Sequence, residues 1–180
     1  GLLPSQLLND KFNINMNNIG VLSGPNHAEE IIENKSAATV VSSVNQNFSK
    51  ELQILFSSKT FRVYTTDDII GVQVGGAVKN VIAIASGICA GLDLGDNTQA
   101  ALVSRGMNEI LELSKIYDMK NNTLYGLSGI GDLVATCYSQ HSRNRQLGLL
   151  LSRGKSLNEA RDVIGMVTEG VNTTKILNDI

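Results

Sequence analysis

With 180 residues, 42% of them apolar and 18% charged, the chain is long enough for one domain or two small ones of ordinary globular composition. A net charge of −2 gives no general pull toward nucleic acid or an anionic membrane surface. Two cysteines, Cys89 and Cys137, sit in apolar surroundings and suit a reduced cytoplasmic protein, as packing residues rather than a disulfide framework. No signal peptide is expected, and Lys79 and Asn80 interrupt the best apolar run, so no membrane span is expected either. The opening Gly1, with no methionine, suggests an internal cut or a processed product. His27 and His141 lack the spacing of metal ligands, and no metal site is expected.

In chain order, Leu2 to Leu8 predicts a brief helix after Pro4, and Asn15 to Asn18 a polar turn. Ile19 to Leu22 predicts a short strand, broken by Ser23-Gly24-Pro25-Asn26. Ala28 to Asn34 reads as a helix with Asn26 as its N-cap candidate. Ala37 to Ser42 is dense in β-branched residues and predicts a strand, Ser49 to Phe56 a helix, and Phe61 to Thr65 another strand. This alternation predicts a parallel or mixed sheet with crossover helices.

After Thr66-Asp67-Asp68 the character changes. Asp67 or Asp68 can cap a nearly charge-free segment, and Gly71 to Leu92 predicts a helix buried on most sides that carries one cation, Lys79. Gly75, Gly76, Ala83 and Ser86 lie above and below Lys79 at helical spacing, a face without bulk. Further helices are predicted over Asn97–Lys115, Leu133–Tyr138, Ser142–Arg153, Ser156–Ile164 and from Glu169 or Gly170 to the end. Leu124–Asp132 is a glycine-rich stretch, and Ser156 with Glu159 forms a capping box. The reading is thus an α/β part over 1–67 and an all-helical part over 68–180.

Four constellations could carry chemistry. A lysine in a core helix is either a snorkelling side chain or a general acid–base whose charge is tuned by burial. Ser23-Gly24-Pro25-Asn26, between a strand and a helix, is either an ordinary turn or a ligand-binding loop at a strand's carboxyl end. Asp132 and Thr136 share a helical face; they could grip a hydroxyl, or Asp132 could serve only as a cap. Ser142-Arg143-Asn144-Arg145 is either a solvated basic face or a phosphate grip, since guanidinium forks bind oxygens bidentately.

Taken together, LSGPN, FRVYTTDDIIG, GVQVGGAVKNVIAIASGICAGL, GDNTQAALVSRG, GLSGIGDLVATC and SRNRQLG resemble the NAD(P)-dependent glycerol-3-phosphate dehydrogenases of bacterial type, in the family's order and spacing. The resemblance implies the C-terminal part of an NAD(P)-binding Rossmann domain (1–67), followed by an all-α substrate domain of the 6-phosphogluconate dehydrogenase C-terminal-like type (68–180). It implies interconversion of sn-glycerol 3-phosphate and dihydroxyacetone phosphate by hydride transfer with NAD or NADP, feeding glycerophospholipid synthesis in the cytoplasm. Lys79 matches the catalytic lysine. Gly24, Asn26, Asn80, Asp132, Thr136, Ser142, Arg143 and Asn144 match substrate-binding positions, with Lys79 also in that set; Thr or Ser is common where Asn26 stands. Ala28, Arg143, Val167 and Glu169 match cofactor contacts. Oligomeric state stays open, a homodimer among the options.

One departure stands out. The glycine-rich dinucleotide loop is absent, and about the first third of the family's chain has no counterpart before Gly1, just after a second lysine of the family pattern. The isolated chain is therefore expected to be inactive. Two alternatives are a non-catalytic module binding phosphorylated ligands or a partner, and a related β-hydroxyacid dehydrogenase. The latter would need a carboxylate-binding pattern where SRNR sits.

Overall fold

The computed structural model describes residues 2–179; Gly1 and Ile180, where the expected chain register begins and the last helix ends, lie outside the described residues. Helix α1 (Pro4–Phe12) starts on a proline, whose fixed φ and missing N–H suit the first helical turn, and ends at Asn13 in the left-handed conformation. It runs further than Leu8, to Phe12, and its start is held by Gln73. Gln73 accepts from the Ser5 amide at 2.9 Å and donates to the Ser5 hydroxyl at 2.8 Å.

A 3-10 turn (Met16–Asn18) leads to β1 (Val21–Ser23), which lies slightly later than expected. Then follow α2 (Ala28–Ile32), β2 (Ala37–Ser42), α3 (Gln46–Phe56) and β3 (Phe61–Thr66). The sheet order is β1-β2-β3, a mixed sheet as expected. β1 pairs antiparallel with β2, Val21 opposite Ser42, and β2 pairs parallel with β3, Ala37 opposite Phe61. β2 is buried over Thr39–Ser42, so its β-branched run serves a covered strand. α3 starts earlier than Ser49 because the Asn45 side chain accepts from the amides of Asn47 and Phe48.

The long apolar helix is α4 (Ile69–Gly91). Asp68 caps it, accepting from the Gly71 amide at 2.8 Å. By length and composition α4 could cross a membrane, but 56% of its most apolar window is buried inside the protein, as in a core helix. α5 (Gly95–Leu113), α6 (Asn121–Leu124), a π turn (Leu127–Gly131), α7 (Asp132–Tyr138), α8 (Arg143–Ser152), α9 (Leu157–Ile164) and α10 (Glu169–Asn178) follow. No strand follows β3 among the described residues.

Cα proximity divides the chain into two compact units, one of 1–76 with 111–132, the other of 77–110 with 133–180. In the first, α3 packs on β2 and β3, and Val41, Val63, Val72 and Leu124 are buried. In the second, the core is Leu147, Ala160 and Val171 with Ile84, Leu150 and Leu157 around them. There α4 and α8 meet through glycine. A methyl group on Gly148 would land on the Ile84 carbonyl and lie 2.9 Å from the Gly87 Cα, and one on Gly87 would land on the Arg145 carbonyl. The bulk-free face of α4 thus admits another backbone, as its small residues require.

Candidate functional site

The Ser23–Asn26 loop belongs to the first unit. Gly24 has a φ of +155°, and a Cβ there would sit 2.9 Å from the Thr39 Cα, so the loop passes directly over β2. The buried Thr39 hydroxyl donates to the Ser23 carbonyl at 3.0 Å and accepts from Asn26 Nδ2 at 2.9 Å. Asn26 is therefore not the cap of α2. His27 holds the cap position and makes no side-chain cap bond, while the Asn26 amide is turned to Thr39. Ala28, the first residue of α2, is exposed.

The loop also reaches the start of α7. Ser23 Oγ donates to Asp132 Oδ2 at 3.3 Å, and Asp132 is 3% exposed. Asp132 follows the π turn, whose Gly131 amide bonds back to the Gly126 carbonyl at 3.1 Å. A side chain on Gly129 would land on the Leu124 carbonyl, so the glycines of this stretch allow a wide turn packed on its own chain. Thr136, one turn after Asp132 on α7, is also buried.

The second unit holds the other cluster. α8 is capped by Ser142, whose hydroxyl accepts from the Arg145 amide at 3.3 Å. This sets Arg143 and Asn144 in the helix's first turn. Arg143 reaches Glu169, the first residue of α10, at 3.2 Å, and both side chains are about half exposed. Asn144 is buried; its Nδ2 donates to Asn80 Oδ1 at 3.0 Å and to Glu169 Oε2 at 3.3 Å, and its Oδ1 accepts from the Gly170 amide at 3.0 Å. The chain thus brings together Asn80, Arg143, Asn144 and Glu169, with Lys79 half-buried one residue before Asn80.

Ser86, on the same face of α4, is fully buried and donates to the Cys137 carbonyl at 2.8 Å, so α7 covers that part of the helix. Burial pushes the Cys137 thiol up to about 12, against the opposing pull of Lys79 and Arg145. Cys137 is packing, as its apolar surroundings suggest.

Val167 is exposed and lines a cleft of about 590 Å³ with Arg161, Met166 and Thr168. In that wall the buried Thr168 Oγ1 has no hydrogen-bond partner. An orphaned hydroxyl between Val167 and Glu169, with the half-exposed Arg143–Glu169 pair nearby in the fold, fits a ligand rich in hydrogen-bonding oxygens. Among the described residues no group of three or more His, Cys, Asp and Glu could hold a metal ion. Thr39 and Gly170 are site-building residues that the sequence reading did not single out, and Ser23 entered it only as part of the Ser23–Asn26 loop. Thr39 carried a signal, a hydroxyl in the middle of a strand dense in β-branched residues; Gly170 carried none beyond its place in TEG.

The N-terminal model of NAD-dependent glycerol-3-phosphate dehydrogenases matches residues 1–49, and the C-terminal model matches residues 68–180. The glycerol-3-phosphate dehydrogenase [NAD(P)+] of Clostridium botulinum (strain Alaska E43 / Type E3) is 52% identical over 91% of this chain and 50% of its own length. That of Moorella thermoacetica is 50% identical over 92% of this chain and 49% of its own. A crystal structure of glycerol-3-phosphate dehydrogenase from Coxiella burnetii superposes with a TM-score of 0.86 at 44% identity, covering 89% of this chain and 49% of that one. The chain spans about half the length of the curated relatives it matches. On the strength of the C-terminal match across α4–α10 and these identities, the chain belongs to the family of NAD-dependent glycerol-3-phosphate dehydrogenases.

Proposed function

We propose that the protein carrying these residues is an oxidoreductase that interconverts sn-glycerol 3-phosphate and dihydroxyacetone phosphate, works in the cytoplasm and supplies glycerophospholipid synthesis. The observation that carries the reading is the Arg143–Glu169–Asn144–Asn80 network immediately beside Lys79. It sets a guanidinium for a phosphate and a half-buried amine for a proton on neighbouring elements of one unit.

Lys79 Nζ would take the proton from the substrate's C2 hydroxyl in oxidation and return it to the carbonyl oxygen in reduction. A bound NAD or NADP supplies the hydride chemistry. Ala28, Arg143, Val167 and Glu169 would hold it. Arg143, anchored by a half-exposed pair of the kind that contributes about 0–1 kcal/mol, can exchange Glu169 for a phosphate at little cost. Ser142 and Asn144 complete the phosphate segment; the resemblance further assigns substrate contacts to Gly24, Asn26 and Asp132 of the first unit and to Asn80 and Thr136 of the second. The corresponding domain division is 1–67 for the nucleotide-binding part and 68–180 for the substrate-binding part.

The test is reduction of dihydroxyacetone phosphate by NADH and by NADPH, using the complete polypeptide that contains these residues. The reading expects one or both to be consumed and names the cofactor in doing so. No consumption of either, with glycerol 3-phosphate still bound, would leave a non-catalytic phosphate-binding module instead. The 180 residues on their own, with three strands among the described residues and no glycine-rich dinucleotide turn in the sequence, are expected to turn over little or nothing.

A further inference from the structure

The Thr39 hydroxyl is fully buried beneath the Ser23–Asn26 loop and has one proton to give. The Ser23 carbonyl can only accept, so that proton is committed to it, at 3.0 Å. Toward Asn26 the same oxygen can then only accept, and Nδ2 is the group that faces it, at 2.9 Å. Turning the amide over would set Asn26 Oδ1 and the Ser23 carbonyl against each other for a single proton and leave one acceptor without a donor. With Nδ2 held, Oδ1 stands on the far edge of the amide, and among the described residues no donor bonds it. Asn26 is half-buried, whereas Thr39 is sealed. Gly24 makes the close approach possible, since a Cβ there would sit 3.0 Å from Thr39 Oγ1. Ser23 spends its own hydroxyl proton on Asp132 Oδ2 at 3.3 Å. Both hydroxyl protons of this cluster are therefore used internally, and Asn26 presents an oxygen held in one orientation. Such an oxygen suits a ligand hydroxyl, which can donate, and not a phosphate, which carries mainly acceptor oxygens at neutral pH.

We infer that Thr39 is a positioning residue that locks the Asn26 carboxamide, and that Asn26 Oδ1 accepts the hydrogen bond of the substrate's C1 hydroxyl. This rests on the proposed dehydrogenase reading and gives Asn26 a specific part in it. The C2 hydroxyl is the group from which Lys79 takes the proton, which leaves the C1 hydroxyl as the substrate's other donor. Thr39 touches no substrate and acts through Asn26. The C1 hydroxyl is the same in glycerol 3-phosphate and in dihydroxyacetone phosphate, so the contact binds both alike and bears on KM rather than on kcat.

The experiment uses the complete polypeptide with Thr39→Val, which keeps the shape and loses the hydroxyl, Thr39→Ser, which keeps the hydroxyl, Asn26→Ala, and Thr39→Val combined with Asn26→Ala. The expected result is a KM raised about tenfold for both glycerol 3-phosphate and dihydroxyacetone phosphate in Thr39→Val and in Asn26→Ala, with kcat within about threefold. Thr39→Ser should stay within about twofold of the unsubstituted protein, and in the Asn26→Ala background Thr39→Val should add less than about threefold, since the two act as one unit. Propane-1,2-diol 1-phosphate lacks the C1 hydroxyl and should inhibit the unsubstituted protein and Asn26→Ala with the same Ki. Penalties that simply multiply, a kcat loss with KM unchanged, or an analogue Ki that Asn26→Ala raises as much as KM would overturn the inference. Should Thr39→Val fail to fold, Asn26→Ala with the analogue still decides. If the unsubstituted protein turns nothing over, the dehydrogenase reading fails on its own, and calorimetric binding of glycerol 3-phosphate and of the analogue to the unsubstituted protein and to Asn26→Ala then decides on the contact. A Kd raised about tenfold for glycerol 3-phosphate alone upholds it, and an unchanged Kd, or no binding, overturns it.

Discussion

The two compact units spend their polar groups differently. In the first, Asp68 is buried and accepts two backbone amides, that of Gly71 at 2.8 Å and that of Lys120 at 2.8 Å, so the carboxylate is consumed in joining the start of α4 to the start of α6. Thr39 likewise spends its hydroxyl on holding the Ser23–Asn26 loop. In the second, the charged ends of Arg143 and Glu169 stay half exposed while only the neutral Asn144 is buried. The buried Asp68 carboxylate serves architecture in the first unit, and the Arg143 and Glu169 charges stay accessible in the second. This is the division expected when the cost of burying an ion is met by backbone donors in one place and avoided in the other.

The largest effect should come from the second unit's backbone contact. Gly148→Val drives a side chain into the Ile84 carbonyl and against Gly87, and should cost about 3 kcal/mol or more, seen as loss of cooperative thermal unfolding. A variant that melts normally would show that α4 and α8 can separate, and would remove the frame on which the Arg143 cluster is built. Next, Asp68→Ala in the first unit removes a cap and leaves two amides without their acceptor, at about 2–4 kcal/mol by denaturant unfolding; Asp68→Asn should cost less because one oxygen remains.

The smallest effect is in acid. Hydrogen bonds from Ser156 hold the Glu159 carboxyl below its ordinary range, and Lys120 does the same for Asp67. A lowered folded-state pKa stabilises above the unfolded value and is lost as pH falls through the folded one. The melting temperature should therefore hold from neutrality down to the ordinary carboxylate range and decline below it. Glu159→Gln and Asp67→Asn should each flatten that decline slightly, since both groups are exposed.

Local signals were readable in the sequence. β2 lies at Ala37–Ser42 as its β-branched run predicts, and the Ser156–Glu159 capping box forms with Ser156 as cap. Asp68 caps α4, and Gly154 sits at φ +83° just past α8. What was not readable depends on distant partners. Asn26 bonds Thr39 instead of capping α2, because a strand lies within reach of its amide. The π turn at Leu127–Gly131 has no periodic signature distinct from a glycine-rich loop, and β2 packs beside it. For the site, the sequence named Asn80, Asn144 and Glu169 one by one through resemblance. Their shared hydrogen bonds join positions 64 and 25 residues apart and emerge only in the fold.

The most direct test of the account is Lys79→Ala in the complete polypeptide, assayed for oxidation of glycerol 3-phosphate under saturating cofactor. The account predicts a fall in kcat of about 10²-fold or more, the loss of a general acid–base group, with the protein still folded by thermal melt. A near-normal kcat would contradict it and take Lys79 out of the chemistry.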